Sequence, residues 1–388
     1  MQINDDITIE GNEKIARYRK KKLIVTLIAV VIVCILAMLF YYFGIKNRVY
    51  KKYVVENKID ISSVGNVGYL PYSEGMIRYS AEGVSYYADG KEVWNKSINM
   101  TDPCIDVCGD YVVIAERGSN DIVLFDLSGS EQDFTATYPI VNVSVSKNGT
   151  MAATLDDGEA NYIEITTKDG EKIASGRTVL SGDGYPIDVS ISEDGAKVVA
   201  SYLSVGDGAV KSKVVFYNFS EVGENEVDRV VGGFNQYEDS IVPDVEFINK
   251  NTAIALADNM FTIYEIDEKP TKKYEEKFEN EKIISSFYSD SYIGFVLENA
   301  KSGENVIQVY DINGKKIISD KTEYVYTDIQ FNEKNILMYN DENITMYSFS
   351  YKKIFDKNYK GKIVKVIPIN KTHMIVISDN KAEIIKLK

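Results

Sequence analysis

Short β-rich runs recur through this chain in groups of four, and the second run of each group is the most apolar. Tyr111–Ala115 (YVVIA), Lys197–Leu203 (KVVASYL), Thr252–Ala257 (TAIALA), Tyr292–Leu297 (YIGFVL), Asn335–Tyr339 (NILMY) and His373–Ser378 (HMIVIS) show this. A strand with one wet face alternates apolar and polar residues. Near-continuous apolarity therefore implies burial on both faces, as in a sheet packed between neighbouring sheets. The first runs begin near Val67, Ile105, Ile140, Ile187, Val242, Ile283, Val325 and Ile363, at spacings of 38, 35, 47, 55, 41, 42 and 38 residues. A four-stranded unit of about 42 residues is the spacing of β-propeller blades.

Two spacings are wide, and the sequence offers a cause for each: Ser204–Lys213 (SVGDGAVKSK) lengthens a hairpin and Gly232–Tyr237 (GGFNQY) lengthens a connection. Asp89-Gly90, Asn148-Gly149, Asp169-Gly170, Asp194-Gly195 and Asn313-Gly314 each fall between two β runs, where their tolerance of positive φ suits a tight hairpin. The last group, Ile363–Lys388, has only three runs. Val54–Ile61 (VVENKID followed by Ile61) stands ahead of the first full group and is the natural fourth strand, since pairing the chain ends removes an exposed sheet edge. The count is eight blades, with seven as the alternative if one group near the N-terminus is irregular.

Before the repeat lies Leu23–Phe43, an apolar run without a charge, preceded by Arg17, Arg19, Lys20, Lys21 and Lys22. At 1.5 Å per residue it reaches about 30 Å, and Tyr41, Tyr42 and Phe43 stand where an interfacial aromatic belt belongs. A cleaved signal peptide would have a shorter apolar core ending in small residues, whereas this run ends in Met38, Leu39 and Phe40. The expected organisation is a cytoplasmic tail at 1–22, a transmembrane signal anchor at 23–45, a linker at 46–52 and an extracytoplasmic propeller at 53–388, with 54–61 closing the last blade. The tail, opening MQINDDITIEGNE, is expected to be disordered. Basic residues flank both helix ends, but those before it favour an N-terminus inside the cell.

Residues 1–52 hold ten Lys and Arg against four Asp and Glu, leaving 34 against 54 in residues 53–388, a net charge of −20. Such a field repels nucleic-acid phosphates and anionic headgroups, so no nucleic acid is expected as a partner. Three cysteines are too few for a disulfide framework, and Cys34 lies in the apolar run. Cys104 and Cys108 are four apart on one strand, about 13 Å, beyond disulfide reach, and no second Cys or His pair completes a zinc site.

Tyr86–Ile98 (YYADGKEVWNKSI) resembles the repeat of pyrroloquinoline-quinone-type propellers: a strand, an Asp-Gly turn, a Lys and a docking Trp. Weaker copies are Ile165–Ala174 (ITTKDGEKIA) and Tyr310–Ile318 (YDINGKKII). SVSKNGTMAA, ending at Ala153, and SISEDGAKVVA, ending at Ala200, resemble the Ser-Pro-Asp-Gly-Lys turn of other bacterial, YVTN-like propellers. The whole arrangement is similar to a family of uncharacterised membrane-anchored propeller proteins of low-GC Gram-positive bacteria, which implies an envelope protein. The chain departs from the quinoprotein pattern in having Trp94 as its sole Trp.

No cofactor, metal ligand or catalytic residue is expected, and the binding face is left unspecified. A quinone site lacks its aromatic floor, and Asp156-Asp157-Gly158-Glu159 lacks the alternating spacing of a calcium loop. Val205–Gly208 is Gly-rich, but no Lys-Ser/Thr pair or helix follows to cradle a phosphate. His373, the only His, starts an apolar strand and reads as structural. A sialidase-like site would need several Arg, and beyond the juxtamembrane segment only Arg78, Arg117, Arg177 and Arg229 exist, in no shared motif. Most of the 28 Tyr are expected to pack within strands, with a few at blade tops as contacts. The expected role is a non-enzymatic module binding or scaffolding an envelope protein or cell-wall glycan. A propeller glycosidase using two carboxylates and a ligand-sensing ectodomain are the alternatives.

Overall fold

A computed structural model describes residues 3–41, 48–61, 66–179, 184–206 and 208–388. It comprises two compact units, Met1–Tyr50 and Lys51–Lys388. The first contains one α-helix, Ile3–Phe40, whose segment Tyr18–Phe40 is long and apolar enough to cross a membrane. The helix begins well before the apolar run, correcting the expectation of a disordered tail. Glu, Lys, Arg and Ile are adequate helix formers, and adding a turn to an existing helix avoids the cost of nucleation. Tyr42 and Phe43 of the expected aromatic belt, and linker residues 46 and 47, lie outside the described residues.

The second unit is eight four-stranded antiparallel sheets. Strands are named a to d from the propeller axis outward; in blade 1 they are Gly68–Tyr72, Gly75–Ser80, Gly83–Ala88 and Lys91–Ser97. Blade 8 takes its outer strand from the start of the unit: Tyr53–Asp60 pairs antiparallel with Lys381–Leu387, and Lys388 N–H donates to Lys52 O at 2.8 Å. The chain thus joins the propeller at the end bearing the a–b and c–d turns, called the proximal end below. All five Asp-Gly and Asn-Gly pairs singled out in the sequence are turns at that end, each with its Gly at positive φ.

The apolar cores lie between blades. Val112 and Ile114 of blade 2 pack with Ile77 and Val84 of blade 1, and Val113 and Ala115 on the other face pack with Val143 and Ala153 of blade 3. Strand b is therefore enclosed by two neighbouring sheets, which accounts for its unbroken apolarity; in blade 5, Thr252–Leu256, every residue is buried.

Both expected causes of wide spacing fall within one blade, between Ile187 and Val242, and one of them differs from the expectation. The long hairpin is present as two ten-residue strands, Lys197–Gly206 and Ala209–Asn218. Gly232–Tyr237, however, belongs to strand d of blade 4, Val230–Tyr237, and the extra length is the pair of 3-10 turns Glu221–Asn225 and Val227–Arg229. Gly232 is a packing residue there: a Cβ would lie 2.4 Å from Cγ of Pro270 in blade 5.

Candidate functional site

The distal end of the propeller carries the b–c turns and the connections from each outer strand to the next inner strand. Among the described residues four well-formed clefts open there, and three are lined chiefly by polar groups. The fourth, about 870 Å³, is chiefly apolar and spans blades 2 to 4. Its walls repeat. Tyr138-Pro139-Ile140 leads into strand a of blade 3, Ile140–Val145, and Tyr185-Pro186-Ile187 opens strand a of blade 4, Tyr185–Ile191. Pro, lacking an N–H, is suited to the start of a strand, where no ladder bond is lost.

Tyr138 is held by stacking on Tyr162, centroids 4.6 Å apart. Tyr185 keeps 39 % of its surface exposed. Between these walls is the b–c turn of blade 3. Asp157 there is engaged by its own loop, accepting from Glu159 N–H, Ala160 N–H and Tyr162 Oη, and these bonds hold its carboxyl below the usual range. Asp156 accepts from Gly158 N–H at 2.8 Å and lies near enough to Tyr185 that, after burial, its charge helps push the Tyr185 hydroxyl pKa up. At the opposite wall, Arg117 donates to Val141 O at 3.1 Å and pairs with Asp102 at 3.6 Å, so its charge is compensated within the protein.

The second candidate feature surrounds the axis. Inner strands leave one backbone edge without a sheet partner, and side chains of adjacent blades satisfy part of it. Val145 N–H donates to Asp106 Oδ2 and Val245 N–H to Asp188 Oδ2, both at 2.8 Å. Ile191 N–H donates to Ser144 Oγ and Phe247 N–H to Ser190 Oγ. In five inner strands the register shifts by one residue; in blade 5 this falls at the strand's end, before Asn249, and in the other four the residue after the shift is polar and faces a neighbouring blade: Asn142, Asp188, Ser285 and Lys365. Each reaches an adjoining blade or its connection: Asn142 to Asp188, Ser285 to Tyr326, and Lys365 to Asp328.

These roles crowd four carboxyls around the axis. Burial, then like charge from Asp244 and Asp106, pushes Asp188 up to about 7 despite its accepted hydrogen bonds. Burial pushes Asp244 up to about 6. Burial raises Asp106, and burial followed by the other three carboxylates raises Glu246 well above the usual range. Near neutral pH the cluster therefore retains protons.

The other residues weighed in the sequence occupy structural places. His373 hydrogen-bonds Asn370 and Thr372 through Nδ1 and faces Glu56 through Nε2 at 3.2 Å, joining strand b of blade 8 to the closing strand. Cys104 and Cys108 share one strand and are free thiols, raised by burial to about 11 and about 12. Arg177 and Arg229 lie on blades 3 and 4, Arg229 donating to Ser220 O, and Arg78 is on blade 1; Arg117 alone lines the large cleft. Asp207 of the Gly-rich stretch lies outside the described residues. Among the described residues no group of three or more His, Cys, Asp and Glu side chains is arranged to hold a metal ion. The large cleft was not anticipated from the sequence; the signal for it was the Tyr-Pro-Ile triplet occurring twice, 47 residues apart.

Among solved structures, the propeller is similar to BamB from Moraxella catarrhalis, with a TM-score of 0.54 and 11 % identity over 87 % of this chain and all of that one. It is similar also to Chaetomium thermophilum Sqt1 bound to the N-terminus of ribosomal protein L10, with a TM-score of 0.50 and 11 % identity over 87 % and 96 % of the two chains. At such identity the likeness is one of fold. No curated protein matches the chain. A family of unknown function, DUF5711, matches residues 46–387.

Proposed function

We propose that this chain, which belongs to the DUF5711 family of unknown function, is a membrane-anchored, non-enzymatic protein-binding module whose propeller works outside the cytoplasmic membrane. The observation that carries the reading is a chiefly apolar cleft of about 870 Å³ at the distal end of the propeller, with a few polar groups in its lining. The chiefly apolar cleft across blades 2 to 4 is the natural anchor site, because apolar contact supplies most binding energy where a few polar groups fix orientation. Sqt1, similar in fold, holds the N-terminus of another protein in its solved complex, which supports a peptide-binding use of such a scaffold.

The anchored topology rests on the Tyr18–Phe40 segment and on the basic residues before it. A glycosidase reading would rest on the axial carboxyls with raised pKa. Asp106 and Asp188 are, however, already tied to the backbone of adjacent blades, so they serve the ring better than a substrate.

Site-directed photo-crosslinking in intact cells tests the proposal. A crosslinker replacing Tyr138 at the distal end should trap a discrete partner protein, and one replacing Lys334, in the a–b turn of blade 7 at the proximal end, should not. Equal labelling from both positions, or turnover of a wall glycan by the purified protein that one carboxyl substitution abolishes, would overturn it. Protease added to wall-stripped cells should degrade the propeller; protection would overturn the topology.

A further inference from the structure

We infer that the cleft across blades 2 to 4 is a seat for a basic side chain, Lys or Arg, presented by an extended segment of the protein partner. The inference rests on the protein-binding reading above and names the chemistry of its ligand. Three features of the cleft converge on it. The aromatic walls, Tyr138 and Tyr185, present rings whose faces attract a cation. Asp156 stands beside Tyr185, and among the described residues its carboxylate accepts one hydrogen bond, from Gly158 N–H on Oδ1, which leaves Oδ2 for a ligand. Pro139, Pro186 and Ile187 offer an apolar surface of the kind along which a Lys or Arg stem packs while its charged head reaches a carboxylate.

The remaining charges exclude other ligands. Arg117, the cation of the lining, is already paired with Asp102 and with Val141 O, and Arg177, on strand d of blade 3, is engaged with Tyr162 and the Asp157 carboxylate, so neither is left for a phosphate or an acidic segment. Asp157 is consumed by its own turn. A glycan ring needs several free polar groups around one aromatic platform, and the lining leaves chiefly Asp156 for that purpose. The net charge of −20 on residues 53–388 favours approach of a basic segment at long range, but Asp156 and the rings make the seat local.

The test uses the full-length protein in dodecylmaltoside micelles at about 150 mM salt, where long-range attraction is screened beyond ~8 Å. Fluorescein-labelled decapeptides of alternating Lys-Ala, Gln-Ala and Glu-Ala are the probes, read by anisotropy, with chitohexaose as a competitor. Saturable binding of the Lys-Ala peptide alone is expected. D156N and Y185A should weaken it at least five-fold, whereas Y185F, which keeps the ring, should change it less than two-fold. D239N, which removes one charge from a different distal cleft, should also change it less than two-fold. Trp94 emission reports whether each variant is folded. Equal losses in D156N and D239N would mean bulk attraction only; binding of the Gln-Ala or Glu-Ala peptide as tightly, displacement by chitohexaose, or no saturable binding of the Lys-Ala peptide would each overturn the inference. If the Tyr138 crosslinker traps a partner through a segment lacking Lys and Arg, this inference fails while the protein-binding reading stands; if it traps nothing, that reading fails first.

Discussion

Replacing Gly129 by alanine tests the contact that docks one blade on the next. Gly129 lies in the c–d turn of blade 2 at φ 79°, and its backbone rests on the indole of Trp94 from strand d of blade 1. A Cβ added there would be 2.6 Å from Trp94 Cγ and 2.8 Å from Cδ1. The indole has little room to retreat. It is 8 % exposed, stacks on Phe125 with centroids 5.5 Å apart, and donates Nε1–H to Leu127 O at 3.2 Å. The left-handed conformation costs a non-glycine residue roughly 1–2 kcal/mol, and overpacking adds about 1–3 kcal/mol, so G129A should lose about 2–5 kcal/mol. Gly158 supplies the control: its φ is 88° and nothing lies within 4 Å of its would-be Cβ, so G158A should lose only the ~1–2 kcal/mol of the backbone. Urea unfolding of the full-length protein in micelles, followed by emission of the sole Trp and by far-UV circular dichroism, measures both. In a double-mutant cycle with W94A, the cost of G129A should fall to that of G158A, a coupling of about 1–3 kcal/mol. A G129A loss no larger than that of G158A, or no coupling to Trp94, would refute the docking argument.

D244N should stabilise the propeller in a pH-dependent way. Burial raises the Asp244 carboxyl to about 6 from an unfolded value near 3.9, so the folded state binds the extra proton and stability is lost as pH rises from about 4 through 6. The gain in D244N should be near zero at pH 4 and reach about 2–3 kcal/mol above pH 7; a gain independent of pH would contradict this. Cys104 and Cys108, with thiols at about 11 and about 12, should resist maleimide in the native protein and react within the same interval as Trp94 exposure on unfolding; prompt native labelling would show that strand a of blade 2, Pro103–Cys108, is open to solvent. A variant starting at Gly68 lacks the closing strand and bares the edge of Lys381–Leu387, so size-exclusion chromatography should show self-association; a well-behaved monomer would mean that closure contributes little.

The blade period was legible because burial on both faces writes strand b in apolar residues, and the docking position was legible only where its turn is glycine-based. Trp94, Ala174 and Ile318 occupy one register position in strand d, immediately beyond a register shift, and each follows an Asp-Gly or Asn-Gly turn. Tyr274 and Phe355 occupy the same position and were not recognised. Blade 5 reaches Tyr274 through Pro270, and blade 7 makes its turn with Tyr351 at φ 50°, a conformation that sequence alone does not assign to tyrosine. Geometry conserves the position while local turn chemistry varies, so a motif search finds only the blades whose turns are conventional.

The large cleft was hidden for a different reason. Tyr138 comes from an outer-to-inner connection, Asp156 is the last residue of strand b of blade 3 and Tyr185 the first of strand a of blade 4, so all three stand in or beside the segments that the repeat treats as spacers between strands. Strand positions are dictated by packing against both neighbours, so their chemistry is redundant and periodic. Connections are free of that demand, and a sequence can place binding groups there without disturbing a blade. The two Tyr-Pro-Ile triplets fall one residue out of register between blades: Ile140 and Pro186 take the same buried place before the bulge, so Tyr138 packs against the core between blades 2 and 3 while Tyr185 takes the exposed place that Pro139 holds in blade 3. The packing that holds Tyr138 does not extend to Tyr185, and a ring left 39 % exposed in the lining of the cleft is better explained by what it meets outside the fold than by the fold itself.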